Sequence, residues 1–205
     1  AMVHGQRIFI SGHLTEEDED AGNDKLRETG TLCEIKQIMK LPGNVLRVTV
    51  RGVARGKSLV YNYDGRMLMA DVELTDDDGD KQTDEVTQAA LARNIKELLK
   101  EYAAGNPKAN KESMARLMSV DGLAELIYRT TGELPFENKK KIEILESDGL
   151  IERSTLVCDA VRREIEIARI RRDFLGDVRT EIDKHQKEYV LREQLGVIRE
   201  ELGEN

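Results

Sequence analysis

Up to about Glu73 the apolar residues come in short β-branched runs bounded by glycine or polar clusters, the punctuation of strands rather than helices. The runs predict strands at Ile8 to Ser11, Thr31 to Met39, Leu46 to Val53, Ser58 to Tyr63 and Met67 to Glu73. Leu41-Pro42-Gly43-Asn44 joins the second to the third as a hairpin turn, because proline presets φ while glycine or asparagine accepts φ > 0. Val48 and Val50 alternate with Arg47, Thr49 and Arg51, so one face of that strand suits a core and the other suits water. Thr15 to Asp24 is acidic and carries a glycine, which predicts a solvated loop.

From Thr83 the spacing becomes helical. Thr83-Asp84-Glu85 can open a helix whose stripe is Ala89, Ala90, Leu91, Ile95, Leu98 and Leu99, and Gly105-Asn106-Pro107 ends it. Shorter helices are expected over Lys111 to Val120, Asp121 to Thr130 and Glu137 to Ser147, broken by Asp121-Gly122 and Leu134-Pro135-Phe136. No proline follows Asp148-Gly149, so either one very long helix or two helices meeting near Gly176 complete the chain. Val157, Val161, Ile165, Ala168, Leu175, Val178 and Ile182 make a coiled-coil-like seam, and Leu191, Leu195, Ile198 and Leu202 continue it in shifted phase. A helix from Asp177 to Leu202 would reach roughly 40 Å, too far to bury its stripe against a small bundle. Its distal part is therefore expected to meet another copy or another domain.

Composition narrows the function. The chain is 35% charged with a formal net charge of −8, which opposes broad attraction to nucleic acid or anionic lipid. No apolar run approaches the roughly 18 residues of a spanning helix. Cys33 and Cys158 lie far apart without a CxxC spacing, which argues against structural zinc and a disulfide framework and fits a reducing cytoplasm. The start lacks the features of a secretory signal. Ala1-Met2 reads as a short remnant before internal sequence, so the chain is expected to be part of a longer protein.

Candidate chemistry is sparse. His4, His13 and His185 are isolated and read as surface residues, and no serine or cysteine lies in a recognisable nucleophile motif. Asp76-Asp77-Asp78-Gly79-Asp80 invites a calcium-loop reading with Glu85 as the last ligand, but Leu74 then occupies the first ligand position and cannot coordinate. An acidic linker is the better expectation. Arg162, Arg163, Arg169, Arg171 and Arg172 are interleaved with Glu164 and Glu166, as on a solvated face.

Two segments carry a family resemblance. Lys187-Glu188-Tyr189-Val190-Leu191-Arg192-Glu193-Gln194-Leu195, followed by Ile198-Arg199-Glu200-Glu201-Leu202-Gly203, resembles the REYYLREQL…IQKELG stretch of Lon, the ATP-dependent AAA+ protease. Glu34-Ile35-Lys36-Gln37 and Leu41-Pro42-Gly43, then Val48, Val50 and Gly52, resemble the EIKQ…LPGG.VRV.VEG hairpin of the same family's N-terminal domain. Met67 to Glu73, Leu134-Pro135 and Lys139-Lys140-Lys141 leading into Leu145 follow in the expected order. The family's LPLR…FPG opening has no counterpart before Ile8: either the chain begins after it or this member lacks the first hairpin, which would expose a sheet edge. A GxxxxGK[ST] phosphate loop is missing too, and the family's serine–lysine dyad belongs to a domain beyond this chain.

The resemblance implies an α+β chain without catalytic, cofactor-binding or metal-ligating residues of its own. Residues 1–75 would form a small, partly open PUA-like β-barrel or sheet, 76–82 an acidic linker, and 83–205 a helical domain ending in the long helix. The implied function is to hold unfolded or damaged proteins and to organise a cytoplasmic hexamer, with ATP and magnesium bound elsewhere in the full-length protease. Holding an unfolded chain needs exposed apolar surface, for which the candidates are Leu41 and Pro42 at a hairpin tip and Met67, Leu68 and Met69 in a run apolar on both faces. Tyr189, Leu191, Leu195, Ile198 and Leu202 are the candidates for contact between copies or domains. The rivals are a nucleic-acid-binding PUA-like module, disfavoured by the charge and by the lack of an aromatic platform, and a purely structural coiled-coil spacer.

Overall fold

Alternating, β-branched sequence pairs into a sheet only where the register lets its side chains share a face, and here it does so from one end of the β half to the other. The computed structural model describes residues 6–13, 26–43, 45–63, 65, 67–75 and 83–201. The elements are β1 (Arg7–His13), β2 (Leu26–Leu41), β3 (Val45–Tyr63), β4 (Leu68–Leu74), α1 (Glu85–Gly105), α2 (Lys111–Met118), α3 (Leu123–Glu133), α4 (Asn138–Glu146) and α5 (Leu150–Glu201). The strands form one antiparallel sheet in sequential order, curled into a half-barrel. Register shifts at Ser11/His13, Leu32/Cys33, Ile35/Gln37 and Ser58/Val60 are bulges that add the twist needed to curl it.

The two runs expected at Leu46 to Val53 and Ser58 to Tyr63 are a single strand, because Gly56 is not a turn. It pairs with Gly30 in mid-strand, and a Cβ there would meet Val72 Cγ1 at 2.6 Å and the Glu73 carbonyl at 2.9 Å. Glycine serves close packing at this point, where the sequence pattern suggests punctuation. At Gly43, by contrast, φ is +81°, and the predicted turn joins β2 to β3. The acidic segment Thr15 to Asp24, His4, the aspartate run from Asp76 to Asp80 and Leu202 lie outside the described residues.

The helices open where local chemistry says they should. Asp84 caps α1 by accepting the Thr87 amide at 2.9 Å, and Asn110 caps α2 by accepting the amides of Glu112 and Ser113. Among the described residues the apolar core lies in the helices, around Ile95, Leu99, Leu126, Ile127, Val157 and Val161. In the sheet, Cys33 is the one buried hydrophobic side chain among the described residues. The long C-terminal segment is one helix of 52 residues that passes through Gly176 without a break. Val157 and Val161 of the predicted seam enter the core and Ile165 packs at its margin, but Leu175, Val178 and Ile182 are exposed. From Arg169 to Arg199 every residue of α5 is exposed, roughly 45 Å of helix.

Candidate functional site

The apolar surface that a soluble chain would normally bury is left open over much of the sheet. β1 pairs with β2 only as far as Glu34, which lies opposite Arg51, and β4 joins β3 only from Gly56, so residues 35–41 and 45–50 form a two-stranded ribbon extending beyond both neighbours. Cross-strand pairing puts Ile35 with Val50, Ile38 with Val48 and Lys40 with Leu46 on one face. On the opposite face Gln37 pairs with Thr49, Met39 with Arg47 and Leu41 with Val45. Ribbons of two strands are marginal in water unless one face is covered.

The predicted capture residues do not converge. Leu41 is half-buried at the end of β2 and Pro42 is exposed in the turn beyond it. Met67, Leu68 and Met69 are exposed at the other end of β3, about 60 Å away along the strand path. Within that second group the pleat separates the side chains: Leu68 pairs with Tyr63 on the face that also carries Tyr61 and Ala70, while Met69 pairs with Asn62 on the other. Two apolar tips, the second split between faces, replace a single cluster.

A junction that the sequence pattern does not announce joins the sheet to the helices. Arg55 of β3 is 4% exposed, and its guanidinium donates to the carbonyls of Leu145 at 2.9 Å and Ser147 at 2.8 Å, at the end of α4. Free carbonyls and the helix dipole make that end favourable for a cation. Asp148 lies 3.6 Å from Arg55 and 3.7 Å from Lys57, and Arg27 pairs with Glu146 at 2.8 Å. Beside this junction a groove of about 780 Å³ runs between Arg51 to Arg55 of β3 and the face of α3 that carries Glu125, Tyr128 and Arg129. Nothing in the sequence pairs Arg55 with Leu145, because the signal is spread over 90 residues.

The titratable groups offer no catalytic arrangement among the described residues. Burial pushes the thiols of Cys33 and Cys158 up, which keeps them protonated and poorly nucleophilic. Hydrogen bonds from Lys36 and Arg51 hold the Glu34 carboxyl below its usual value, and burial raises that of Glu164. His13 is exposed, and His185 is exposed with its ring 3.5 Å from Glu181 on the same helix. No group of three or more His, Cys, Asp or Glu side chains suited to a metal ion occurs among the described residues, and no described helix is long and apolar enough to cross a membrane.

Along α5, Tyr189, Leu191, Leu195 and Ile198 are each about half exposed or more. At about 100° per residue, Leu191, Leu195 and Ile198 share one side of the helix, whereas Leu175, Val178, Ile182 and Tyr189 fall on the opposite side. The phase shift visible in the sequence is thus half a turn, and Tyr189 parts from Leu191, Leu195 and Ile198, the described members of its predicted contact group.

Comparisons with known proteins fall on this architecture. The family model for the ATP-dependent protease La (LON) substrate-binding domain matches residues 2–163. The Lon protease of Lachnoclostridium phytofermentans is 32% identical over 209 residues, covering 100% of this chain and 25% of its own length. That of Clostridioides difficile is 31% identical over 207 residues, covering 100% of this chain and 26% of its own. The chain therefore spans about a quarter of the curated relatives it matches. Among solved structures, the N-terminal domain of the Mycobacterium avium complex Lon protease superposes with a TM-score of 0.58 at 19% identity, over 76% of this chain and 90% of that one, a likeness of fold.

Proposed function

The chain belongs to the Lon substrate-binding domain family, and from that premise we propose that it holds unfolded or damaged proteins for the ATPase and protease modules of a Lon-type enzyme. The observation that carries the reading is the uncovered apolar surface of the sheet. Leu59 and Tyr63 are each 65% exposed and Met67, Leu68 and Met69 about 40%, while the core lies entirely among the helices. Isolated apolar residues on a surface are ordinary, but several on one sheet with no core beneath them suit a receptor for apolar segments. Methionine, which adapts its shape, suits a receptor that must accept many sequences.

We divide the chain into a substrate-holding part at 1–75, a linker at 76–82 and a helical part at 83–205. The exposed distal half of α5 supports self-association within a hexamer through Leu191, Leu195, Ile198 and Leu202, with Tyr189 serving a contact on the other side. ATP, magnesium and the serine–lysine dyad are assigned to modules outside this chain, since the sequence contains no phosphate loop, and the setting is assigned to the cytoplasm.

The test is a titration of the chain with one labelled protein, first folded and then chemically unfolded, with light scattering on the same samples. Preferential capture of the unfolded form is expected. Polar replacement of Leu41, Met67 and Met69 together should weaken capture roughly fivefold or more, as expected for losing about 1 kcal/mol of apolar contact. Equal affinity for both forms, or unchanged capture by the triple variant with its circular dichroism intact, would reject the reading or those residues respectively.

A further inference from the structure

Sulfur is divided between two settings in this chain. Met114 and Met118 of α2 are half-buried and pack against the helical core, and the free thiols Cys33 and Cys158 are buried. Met39 of β2, Met67 just before β4 and Met69 within β4 are 37%, 44% and 39% exposed. Met2 lies outside the described residues. Among the described residues, the sulfur most open to a dissolved oxidant is therefore thioether sulfur on the sheet, and the buried thiols are poorly placed to intercept that oxidant first.

These methionines stand in apolar surroundings that face solvent. Met39 shares its face of the ribbon with Leu41 and with Val45, which is 54% exposed. Met69 shares its face of the sheet with Val60, which is 48% exposed. An oxidant of the peroxide class acts on such a side chain by oxygen transfer. The sulfur lone pair attacks one peroxide oxygen, the O–O bond breaks and the second oxygen leaves as water, so that thioether and hydrogen peroxide give sulfoxide and water while sulfur loses the two electrons that peroxide gains. The sulfoxide oxygen is a hydrogen-bond acceptor that resists desolvation, and covering it with an apolar segment is costly. Because the main core lies among the helices, the change alters the surface of the sheet without opening the core.

We infer that Met39, Met67 and Met69 are a modification site for peroxide-class oxidants, and that their conversion to the sulfoxide reversibly lowers the affinity of the sheet for apolar segments. The inference rests on the substrate-holding reading above and adds a chemical control of that same surface.

The test treats the 205-residue chain with hydrogen peroxide in steps, maps sulfoxide residue by residue by mass spectrometry, and titrates each sample with one labelled, chemically unfolded protein. Met39, Met67 and Met69 should oxidise ahead of Met114 and Met118, and capture should weaken about fivefold or more as they do, with circular dichroism and the urea midpoint unchanged. Methionine sulfoxide reductases of both stereospecificities, supplied with a dithiol that takes the oxygen off as water, should restore it. The variant Met39→Leu/Met67→Leu/Met69→Leu is compared only with itself before and after peroxide, and its capture should not change. Equal rates of oxidation at all five methionines, unchanged capture once the three are sulfoxides, or an equal loss of capture by the leucine variant would overturn the inference, and so would a loss that accompanies unfolding. Absence of capture before any peroxide is added would reject the holding reading and the control built on it together, whereas oxidation without effect on an established capture would reject the control alone.

Discussion

Asp84 shows how much one side chain decides locally. Its carboxylate accepts the Thr87 amide at 2.9 Å and the Thr87 hydroxyl at 2.7 Å, and these bonds, the backbone one first, hold its pKa below the ordinary carboxylate value. A depressed folded pKa means that the contribution to stability is present above the unfolded value of about 3.9 and is lost as pH falls through the folded one. The Thr87 and Gln88 amides should therefore lose hydrogen-exchange protection below about pH 4, and Asp84→Asn, which keeps a capping oxygen that does not titrate, should abolish that step. The cap was legible in Thr83-Asp84-Glu85 because capping involves residues within one turn. Gly56 was not legible: its neighbour Val72 is brought close only by the pairing of β3 with β4. A glycine needed for close approach looks, in sequence, like a glycine needed for a turn.

Among the elements, β3 and α5 are each longer than local signals suggest. β3 runs 19 residues; in the described pairing it meets β2 alone over 45–50 and β4 alone over 58–63, and Arg55 stands in the stretch between. Arg55→Met would keep the aliphatic stem and remove the charged donors from the Leu145 and Ser147 carbonyls. The expected loss is about 2–3 kcal/mol, read as a lowered urea midpoint, with faster amide exchange at the end of α4. An unchanged midpoint would mean that the junction adds nothing to stability. In α5 the run through Gly176 costs only about 1 kcal/mol of helix propensity, too little to break a helix of 52 residues. The half-turn between its two apolar stripes has a consequence for assembly. A single straight partner helix cannot cover both, so Leu175, Val178 and Ile182 call for a different neighbour from Leu191, Leu195 and Ile198.

Over the whole molecule, stability is concentrated in the helices and apolar exposure in the sheet and the distal α5. Hydrogen exchange on the intact chain should rank accordingly. Ile95, Leu99, Leu126, Ile127, Val157 and Val161 are expected to be the slowest amides, and those of the ribbon at 35–41 and 45–50 and of α5 beyond Arg169 the fastest. Uniform protection across sheet and helices would contradict the separation. The sequence by itself determined the α+β class, the place where strands give way to helices, the helix starts at Thr83-Asp84-Glu85 and Lys111, and the likeness to the Lon family. All of these are written in residues close together in the chain, through periodicity, capping and contiguous motifs. Only the tertiary structure decided that Leu41 and Met67 lie at opposite ends of β3, that Arg55 closes α4, that the edge of β3 faces a groove beside α3, and that the core excludes the sheet. Each depends on which distant segments come together, and burial at a position reflects the neighbours that folding brings there.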